Sequence, residues 1–210
     1  MGRRNARASC ALVFTLAFSG AAQAAGKAPA ASQAIALPAV VSIDNFGQVN
    51  SHYFRGAQPK GRDFDDLAKL GVKLVIDLAE EGDTNERASA ERAGMKFVRI
   101  PMSTSRRPSK PEIDQFLSLV NDQANLPVYV HCMGGRHRTG AMTAVYRMTQ
   151  DGWTADRAFS EMKQYKFGAD FLHSEFKRVV YAYPAQAARK ATLNASATKA
   201  DSTRGEVRQQ

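Results

Sequence analysis

Three residues of types that transfer phosphoryl groups lie close together in the chain, at Cys132, Arg138 and Thr139. A cysteine thiolate is a strong nucleophile that forms covalent intermediates. The planar guanidinium of Arg138 can bind two oxygens of one phosphate at the same time, and Thr139 supplies a hydroxyl near the sulfur. A nucleophile, a fixed cation and a hydroxyl at this spacing indicate phosphoryl-transfer chemistry.

The segments around these residues are those that build an anion site. The apolar run 126–130 predicts a short buried strand, and the apolar spacing of 141–148 predicts a helix. A glycine-bearing loop between a strand and a helix directs backbone N–H groups and the positive end of the helix dipole at one point. We expect this field to stabilise the thiolate of Cys132. The loop residues expected to bind phosphate are Met133, Gly134, Gly135, Arg136 and His137.

The decapeptide from His131 to Gly140 resembles the signature of the cysteine-dependent phosphatases of the tyrosine and dual-specificity superfamily. That signature is His-Cys, five residues, Arg, Ser or Thr, and Gly. The segment from Tyr53 to Pro59 is similar to the opening segment of bacterial exported, plant and fungal atypical dual-specificity phosphatases. The resemblance covers roughly residues 45–183. It implies a phosphotyrosine-phosphatase-like α/β fold, in which helices flank a central, mostly parallel sheet.

The resemblance also implies a role for each residue. Cys132 attacks phosphorus as a thiolate and forms a phosphocysteine intermediate. Arg138 and the amides of the loop bind the oxygens and stabilise the transition state. Thr139 assists the departure of the thiolate when water hydrolyses the intermediate, and His131 orients the loop. No metal and no cofactor are expected, and the four histidines show no ligand spacing.

The general acid is where the chain departs from the family pattern. Many relatives carry an Asp on the loop before the helix that precedes the catalytic strand. Here that loop, 101–108, has no carboxylate, and Ser105 lies about where the Asp is expected. The carboxylates that could replace it are Asp83 and Asp114, with Glu81 and Glu112 close by in the sequence. Either one of them serves, or the natural leaving group needs little protonation.

Several functions remain open at this stage. The first is a protein tyrosine or dual-specificity phosphatase acting on a phosphorylated protein. The alternative is an inositol polyphosphate or pyrophosphate phosphatase, whose leaving group is itself a phosphate. Positive charge at Arg106, Arg107 and Lys110 would suit such a polyanion. A phosphate-binding pseudophosphatase ranks lower because the nucleophile and its arginine are present, and a rhodanese-type sulfurtransferase does not need Arg138.

Outside the loop, strands and helices alternate. Strands are predicted over Val49 to Arg55, 72–78, 95–100 and 128–131. Helices are predicted over 64–70, from 83 to Gly94, from 109 to about 122, from the loop to near Gly152, at about 154–165 and at about 170–183. Capping boxes are expected at 83–86 and 109–112. Alternation of this kind predicts a mostly parallel sheet covered on both faces.

The two ends of the chain differ from its middle in composition. Residues 1–24 combine a basic start, a short apolar segment and a small-x-small cleavage site, which predicts a secretory signal peptide and an exported protein, periplasmic or secreted. Residues 25–44 are expected to be a flexible leader, 45–184 the phosphatase domain and 185–210 a disordered basic tail. After cleavage Cys132 is the sole cysteine, because Cys10 lies in the signal.

The net charge of +9 includes cations of the signal and the tail, so the domain itself is less basic than the total. No aromatic–basic interleaving is present, and nucleic acid is therefore not expected as a partner. The apolar segment of the signal is shorter than the roughly 20 residues of a bilayer span. No stable membrane span is expected after cleavage.

Overall fold

The apolar segments of the sequence form a five-stranded sheet in the computed structural model, which describes residues 41–184. The strands are β1 (Gly47–Asn50), β2 (Tyr53–Gly56), β3 (Leu74–Ala79), β4 (Lys96–Met102) and β5 (Val128–His131). They lie in the order β1-β2-β5-β3-β4. The pairs β2–β5, β5–β3 and β3–β4 are parallel, and β1–β2 is antiparallel. The prediction of a mostly parallel sheet is confirmed.

The prediction of one strand from Val49 to Arg55 is wrong, because the chain reverses within that segment. Residues 51 and 52 turn, and β1 pairs with β2 as an antiparallel hairpin. The side chain of Asn50 stabilises the turn by accepting a hydrogen bond from the N–H of His52 at 3.0 Å. Apolar residues lie on both sides of the turn, so hydrophobic periodicity did not indicate the reversal.

Helices cover both faces of the sheet. They are α1 (Asp63–Lys69), α2 (Glu86–Arg92), α3 (Lys110–Asn121), α4 (Arg138–Gln150), α5 (Ala155–Gln164) and α6 over 174–184. On one face, Val128 and Val130 of β5 pack with residues of α3 to α6. On the other, Tyr129 packs with residues of α1 and α2. Successive side chains of the central strand thus pack into the cores on opposite faces of the sheet, because side chains alternate along a strand.

Register places the end of the central strand next to the loop that contains Cys132. His131, the last residue of β5, lies between Gly56 of β2 and Asp77 of β3. Cys132 is the next residue, so it lies at the carboxyl edge of the parallel strands. Ligands of open α/β sheets bind at this edge, because the loops that leave the strands meet there.

The two predicted capping boxes have different outcomes. At α3, the N–H of Ser109 donates to Glu112 Oε2 at 2.5 Å, and the predicted box is present. At α2 the box is absent: the N-cap residue is Asn85, without a side-chain cap, and Glu86 is buried in the domain. Asp83 instead accepts a hydrogen bond from the N–H of Asn85 at 2.9 Å. The last helix also begins later than predicted, because 170–173 form a turn.

The predicted signal peptide (1–24), most of the predicted leader (25–44) and the predicted tail (185–210) lie outside the described residues and stay predictions. At the end of the leader, Ile43 is buried and the carbonyl of Asp44 accepts a hydrogen bond from Ala57 at 2.9 Å. Residues 43 and 44 therefore pack on the domain. Between residues 41 and 184, no helix has the length and apolar character that a bilayer span requires.

Candidate active site

Cys132 begins the loop between β5 and α4, where it is 3% exposed and not oxidised to a disulfide. The loop covers 132–137, and α4 starts at Arg138. Gly135 has a φ of +64°, in the left-handed region that favours glycine. The chain can therefore turn sharply between a buried strand and a buried helix, and the loop closes around the end of β5.

Three successive carbonyls of this loop are held from outside by three donors. Met133 O accepts from the backbone N–H of Gln58 at 3.3 Å. Asn45 Nδ2 donates to Gly134 O at 3.3 Å and to Gly135 O at 2.9 Å, and Arg55 Nη2 donates to Gly135 O at 2.8 Å.

A trans peptide unit directs its N–H opposite to its C=O. The N–H groups of Gly134, Gly135 and Arg136 are therefore turned away from the scaffold and into the loop. Amides that converge in this way are suited to bind an anion, and phosphate binding by this segment stays a prediction.

Arg138 is held in one orientation by Glu81. Its Nη1 and Nη2 donate to the two oxygens of Glu81 at 2.6 and 2.5 Å, and Nη1 also donates to Met102 O at 3.1 Å. Burial disfavours the charge, but the hydrogen bonds to Glu81 and the nearby Cys132 sulfur leave the pKa of Arg138 raised. Arg138 is thus buried, fixed and charged, and its guanidinium lies beside the sulfur of Cys132.

Thr139 is fully buried, and its hydroxyl oxygen has no hydrogen-bond partner among the described residues. A buried hydroxyl without a partner costs free energy of about 1–3 kcal/mol. The hydroxyl is therefore free to form a new hydrogen bond, as the predicted role of Thr139 requires, and that role stays a prediction.

His131 lies behind the loop in a buried group of charges. Its Nε2 is 2.7 Å from Glu86 Oε1, and its Nδ1 is 3.8 Å from Asp77 Oδ1, without the alignment of a hydrogen bond. Arg99 bridges the two carboxylates, with Nε 2.7 Å from Asp77 Oδ2 and Nη2 3.7 Å from Glu86 Oε2. This network connects β3, β4, β5 and α2 directly behind Cys132.

Sequence reasoning missed three members of this network, Asp77, Glu86 and Arg99. Glu86 was assigned to a capping box, although its side chain is 2% exposed. Asp77 did carry a signal, since it is a charged residue inside an apolar strand, and a buried charge must find a partner.

Asp77, Glu86 and His131 form the one group within residues 41–184 whose side chains lie close enough to share a metal ion. However, Arg99 already contacts both carboxylates. A divalent cation between them would be repelled by the guanidinium a few ångströms away. We therefore assign these residues to a structural charge network.

The other side chains of the loop face outward. His137 Nε2 is 3.0 Å from Phe167 O, and its ring lies 3.5 Å, centroid to centroid, from that of His173. Burial lowers the pKa of His137, with neighbouring positive groups acting in the same direction. Arg136 lies 3.8 Å from Asp44, and Met133 is 47% exposed. The contribution of these three residues to phosphate binding is thus expected from their backbone.

The structure gives each candidate general acid other partners. Glu81 accepts both hydrogen bonds from Arg138, which lowers the pKa of its carboxyl. The hydrogen bond from Arg106 is the main cause that lowers the pKa of Glu112 to about 2. Both groups are therefore ionised at neutral pH. Asp83 accepts from Asn85, and Asp114 forms an ion pair with Lys110.

The basic rim expected around the site is compensated by acidic neighbours. Arg106 Nη2 lies 2.6 Å from Glu112 Oε1, and Arg107 Nε lies 3.3 Å from Glu175 Oε2. Lys110 is paired with Asp114. Each of the three predicted cations has a carboxylate partner, so they add little net positive field at this end of the domain.

Comparison with known proteins agrees with this geometry. The family model for the DSP-PTPase phosphatase fused to NAD+ kinase matches residues 38–178. The dual specificity protein phosphatase TpbA of Pseudomonas aeruginosa is 29% identical over 145 residues, which cover 69% of this chain and 63% of that protein. The match thus spans less than two thirds of this relative's length.

Two solved structures share the fold. The core catalytic domain of the PP-IP phosphatase SIW14 from Saccharomyces cerevisiae is 28% identical with a TM-score of 0.57, covering 65% of this chain and 85% of that one. A cysteine-to-serine variant of Pseudomonas aeruginosa TpbA in complex with phosphotyrosine is 25% identical with a TM-score of 0.58, covering 74% and 91%. Both proteins carry the name of a phosphatase. Their fold confirms the predicted phosphotyrosine-phosphatase-like architecture.

The family model matches well over half of the chain and includes the whole loop from Cys132 to Thr139. The chain therefore belongs to the DSP-PTPase phosphatase family, within the tyrosine and dual-specificity superfamily that its catalytic decapeptide resembles.

Proposed function

We propose that this protein is a cysteine-dependent phosphomonoester hydrolase that works through a phosphocysteine intermediate. One observation carries this proposal: the loop that follows Cys132 has its carbonyls held outward, while the adjacent Arg138 is fixed by Glu81. The site therefore combines a nucleophile with preorganised donors for an oxyanion. Such preorganisation is the main source of electrostatic catalysis.

The reaction consists of two displacements at phosphorus. In the first, the thiolate of Cys132 attacks, an S–P bond forms, and the bond from phosphorus to the leaving oxygen breaks with its electron pair on that oxygen. In the second, water attacks phosphorus, the S–P bond breaks, and the thiolate is regenerated while the proton of water passes to solvent. Arg138 and the loop amides bind the equatorial oxygens in both steps, and Thr139 donates to the departing sulfur.

The proposed main substrate class is phosphorylated protein, with phosphotyrosine first. TpbA binds phosphotyrosine in a related structure. The compensated charges of Arg106, Arg107 and Lys110 also remove the reason to prefer a polyanion. A phosphopeptide carries less charge than an inositol polyphosphate and does not need a strongly positive rim.

The second candidate is an inositol polyphosphate or pyrophosphate, and the loop 103–108 favours it. This loop has no carboxylate, and Ser105 Oγ lies 2.8 Å from Ser103 Oγ. A phosphate leaving group is a weak base that departs without a proton, whereas a phenol or an alcohol benefits from general acid catalysis of about 10²–10⁴-fold.

The two candidates are separated by their turnover. We expect the full chain, without added metal, to release phosphate faster from a phosphotyrosine peptide than from inositol hexakisphosphate or an inositol pyrophosphate, measured as kcat/KM in parallel. A chelator should leave the rate unchanged, because no step uses a metal. Cys132→Ser supplies the blank. Preference for the inositol compound would transfer the proposal to the second class, and binding without turnover of either would contradict hydrolase function.

Ser105→Asp tests whether the missing acid limits the reaction. We expect this variant to hydrolyse the phosphotyrosine peptide about 10²-fold faster at acidic pH, since a protonated carboxyl can then donate to the leaving oxygen. The gain should fade as pH rises above the pKa of the new carboxyl, near 4 in the unperturbed case. Rates are compared over pH 4–8.

The control for this experiment is Ser105→Asn, which has the same size without an acid and should stay near the wild-type rate. An Asp variant no faster than the Asn variant would show that another group already protonates the leaving oxygen.

A further inference from the structure

Arg55 is a fully buried arginine beneath the catalytic loop. Arg55 lies on β2. Among the side chains that are less than 2% exposed, it is one of the largest. Nη2 donates to Gly135 O at 2.8 Å, and the guanidinium carbon lies 3.9 Å from the ring centroid of Tyr165. Nε and Nη1 have no hydrogen-bond partner among the described residues. A buried guanidinium with two free donor atoms is unusual, because each costs free energy of desolvation.

The charge of Arg55 also lacks a committed counter-ion. Within residues 41–184 no carboxylate forms an ion pair with it. The titratable groups that interact electrostatically with it are Tyr53, Tyr129, Tyr165, Glu161 and Cys132. Glu161 is committed elsewhere, because its Oε1 lies 2.8 Å from Arg147 Nη2.

Burial raises the pKa of Tyr53 and of Tyr129, so neither supplies a negative charge at physiological pH. Tyr165 contacts the guanidinium through the face of its ring. Burial lowers the pKa of Arg55, but an arginine starts from so high a pKa that it keeps its proton at neutral pH. The remaining negative partner for this positive charge is the catalytic site itself, either as the thiolate of Cys132 or as a bound phosphate.

We propose that Arg55 is a second, buried cation of the phosphate site, which stabilises the Cys132 thiolate and the bound oxyanion while it holds the Gly135 carbonyl outward. It acts on the substrate through the loop and is therefore a positioning residue. Arg138 contributes its charge from one side of the loop, and Arg55 contributes a charge from beneath. This inference deepens the proposed hydrolase function. Any effect of Arg55 on turnover rests on that function, whereas its effect on the Cys132 thiolate does not.

A purely structural role for Arg55 can be separated from an electrostatic one by a matched neighbour. Asn45 Nδ2 donates to the same carbonyl oxygen of Gly135, at 2.9 Å, but carries no charge. If holding the carbonyl were the whole role, removal of either side chain would have similar effects. If the charge matters, removal of the Arg55 side chain should weaken the Cys132 thiolate and anion binding more than removal of the Asn45 side chain does.

The experiment measures how fast iodoacetamide alkylates Cys132 as a function of pH, in the wild type and in four variants of the full chain. Arg55→Met removes charge and donors, Arg55→Gln keeps a donor without charge, Arg55→Lys keeps a charge, and Asn45→Ala removes the neutral donor. We expect the midpoint of the pH–rate profile to rise by about one pH unit in the Met and Gln variants. In Arg55→Lys it should lie between these and wild type. In Asn45→Ala, which loosens two loop carbonyls but removes no charge, it should rise by clearly less than in the neutral Arg55 variants.

Orthovanadate binding gives a second measurement, and we expect its dissociation constant to rise about tenfold in the two neutral Arg55 variants. Should Arg55→Met fail to fold, as judged by its circular dichroism, Arg55→Gln and Arg55→Lys still test the charge. Midpoints of the neutral Arg55 variants equal to that of Asn45→Ala would overturn the proposal. Alkylation of Cys132 needs no turnover. If the neutral Arg55 variants show the raised midpoint but the wild-type protein hydrolyses no substrate, the result counts against the hydrolase function alone.

Discussion

Cys132→Ser should lower turnover of any phosphomonoester substrate by at least about 10⁴-fold, because a hydroxyl at this position is not ionised and forms no phosphocysteine. The side chain is nearly isosteric and 3% exposed, so the fold should be retained. The variant should still bind phosphate, since the loop amides and Arg138 remain. Phosphate release and binding of a phosphotyrosine peptide, measured on the same sample, check both statements.

Arg138→Ala tests the same mechanism by removing the cation that binds the phosphate. We expect a loss of about 10³–10⁵-fold in kcat/KM, together with loss of phosphate binding. Glu81 would lose its partner, but its side chain is 51% exposed and can be solvated, so the domain should stay folded. Arg138→Lys should restore little activity, because an ammonium cannot contact Glu81 and an oxyanion in the same plane.

Circular dichroism and thermal unfolding provide the control for both variants. A folded Cys132→Ser or Arg138→Ala protein with near-normal turnover would rule out the proposed mechanism. An unfolded variant would instead mean that the side chain is needed for the core.

Gly135→Ala should destabilise the domain by about 2–5 kcal/mol and reduce turnover by at least about 10²-fold. A Cβ at this position would lie 2.4 Å from the C and O atoms of Gly56 and 2.7 Å from Ala57 N. These are backbone atoms, which cannot move aside like a flexible side chain. The φ of +64° adds the strain of a left-handed conformation. The loop must therefore shift, and its backbone N–H groups no longer converge on the proposed phosphate position.

Gly134→Ala is the matched control, one residue away in the same loop. The atoms nearest to a Cβ there belong to the flexible side chain of Arg136, at 3.5 Å and beyond, which is ordinary van der Waals contact. Its free energy of unfolding in urea should stay within about 1 kcal/mol of wild type. Equal stabilities of the two variants would contradict the close approach of the loop to the segment after β2.

The sequence by itself determined the local chemistry of the site. The run from His131 to Gly140 predicts a nucleophile and a phosphate-binding arginine, and it correctly predicts a loop between a strand and a helix. These features depend on residues within about ten positions of one another, and the interactions that create them are local. The same holds for the capping box of Ser109 and Glu112 and for the alternation of strands and helices, which predicted the mostly parallel sheet.

Tertiary structure decided which distant side chains support that site. Asn45 and Arg55 hold the loop from positions about 80 to 90 residues earlier in the chain. Glu86 has a capping-box position in the sequence, yet its carboxylate lies beside His131. Whether a charged residue is solvated, capping or buried depends on which elements pack against it, and neither periodicity nor spacing contains that information.

The charged residues around the site show the same limit of prediction from sequence. Three cations near the loop predicted a positive field, but folding places Glu112, Glu175 and Asp114 against them. Glu175 lies on α6, far along the chain from Arg107. Net charge can be counted from a sequence, whereas the field at a site is a sum over distances that only the folded chain defines.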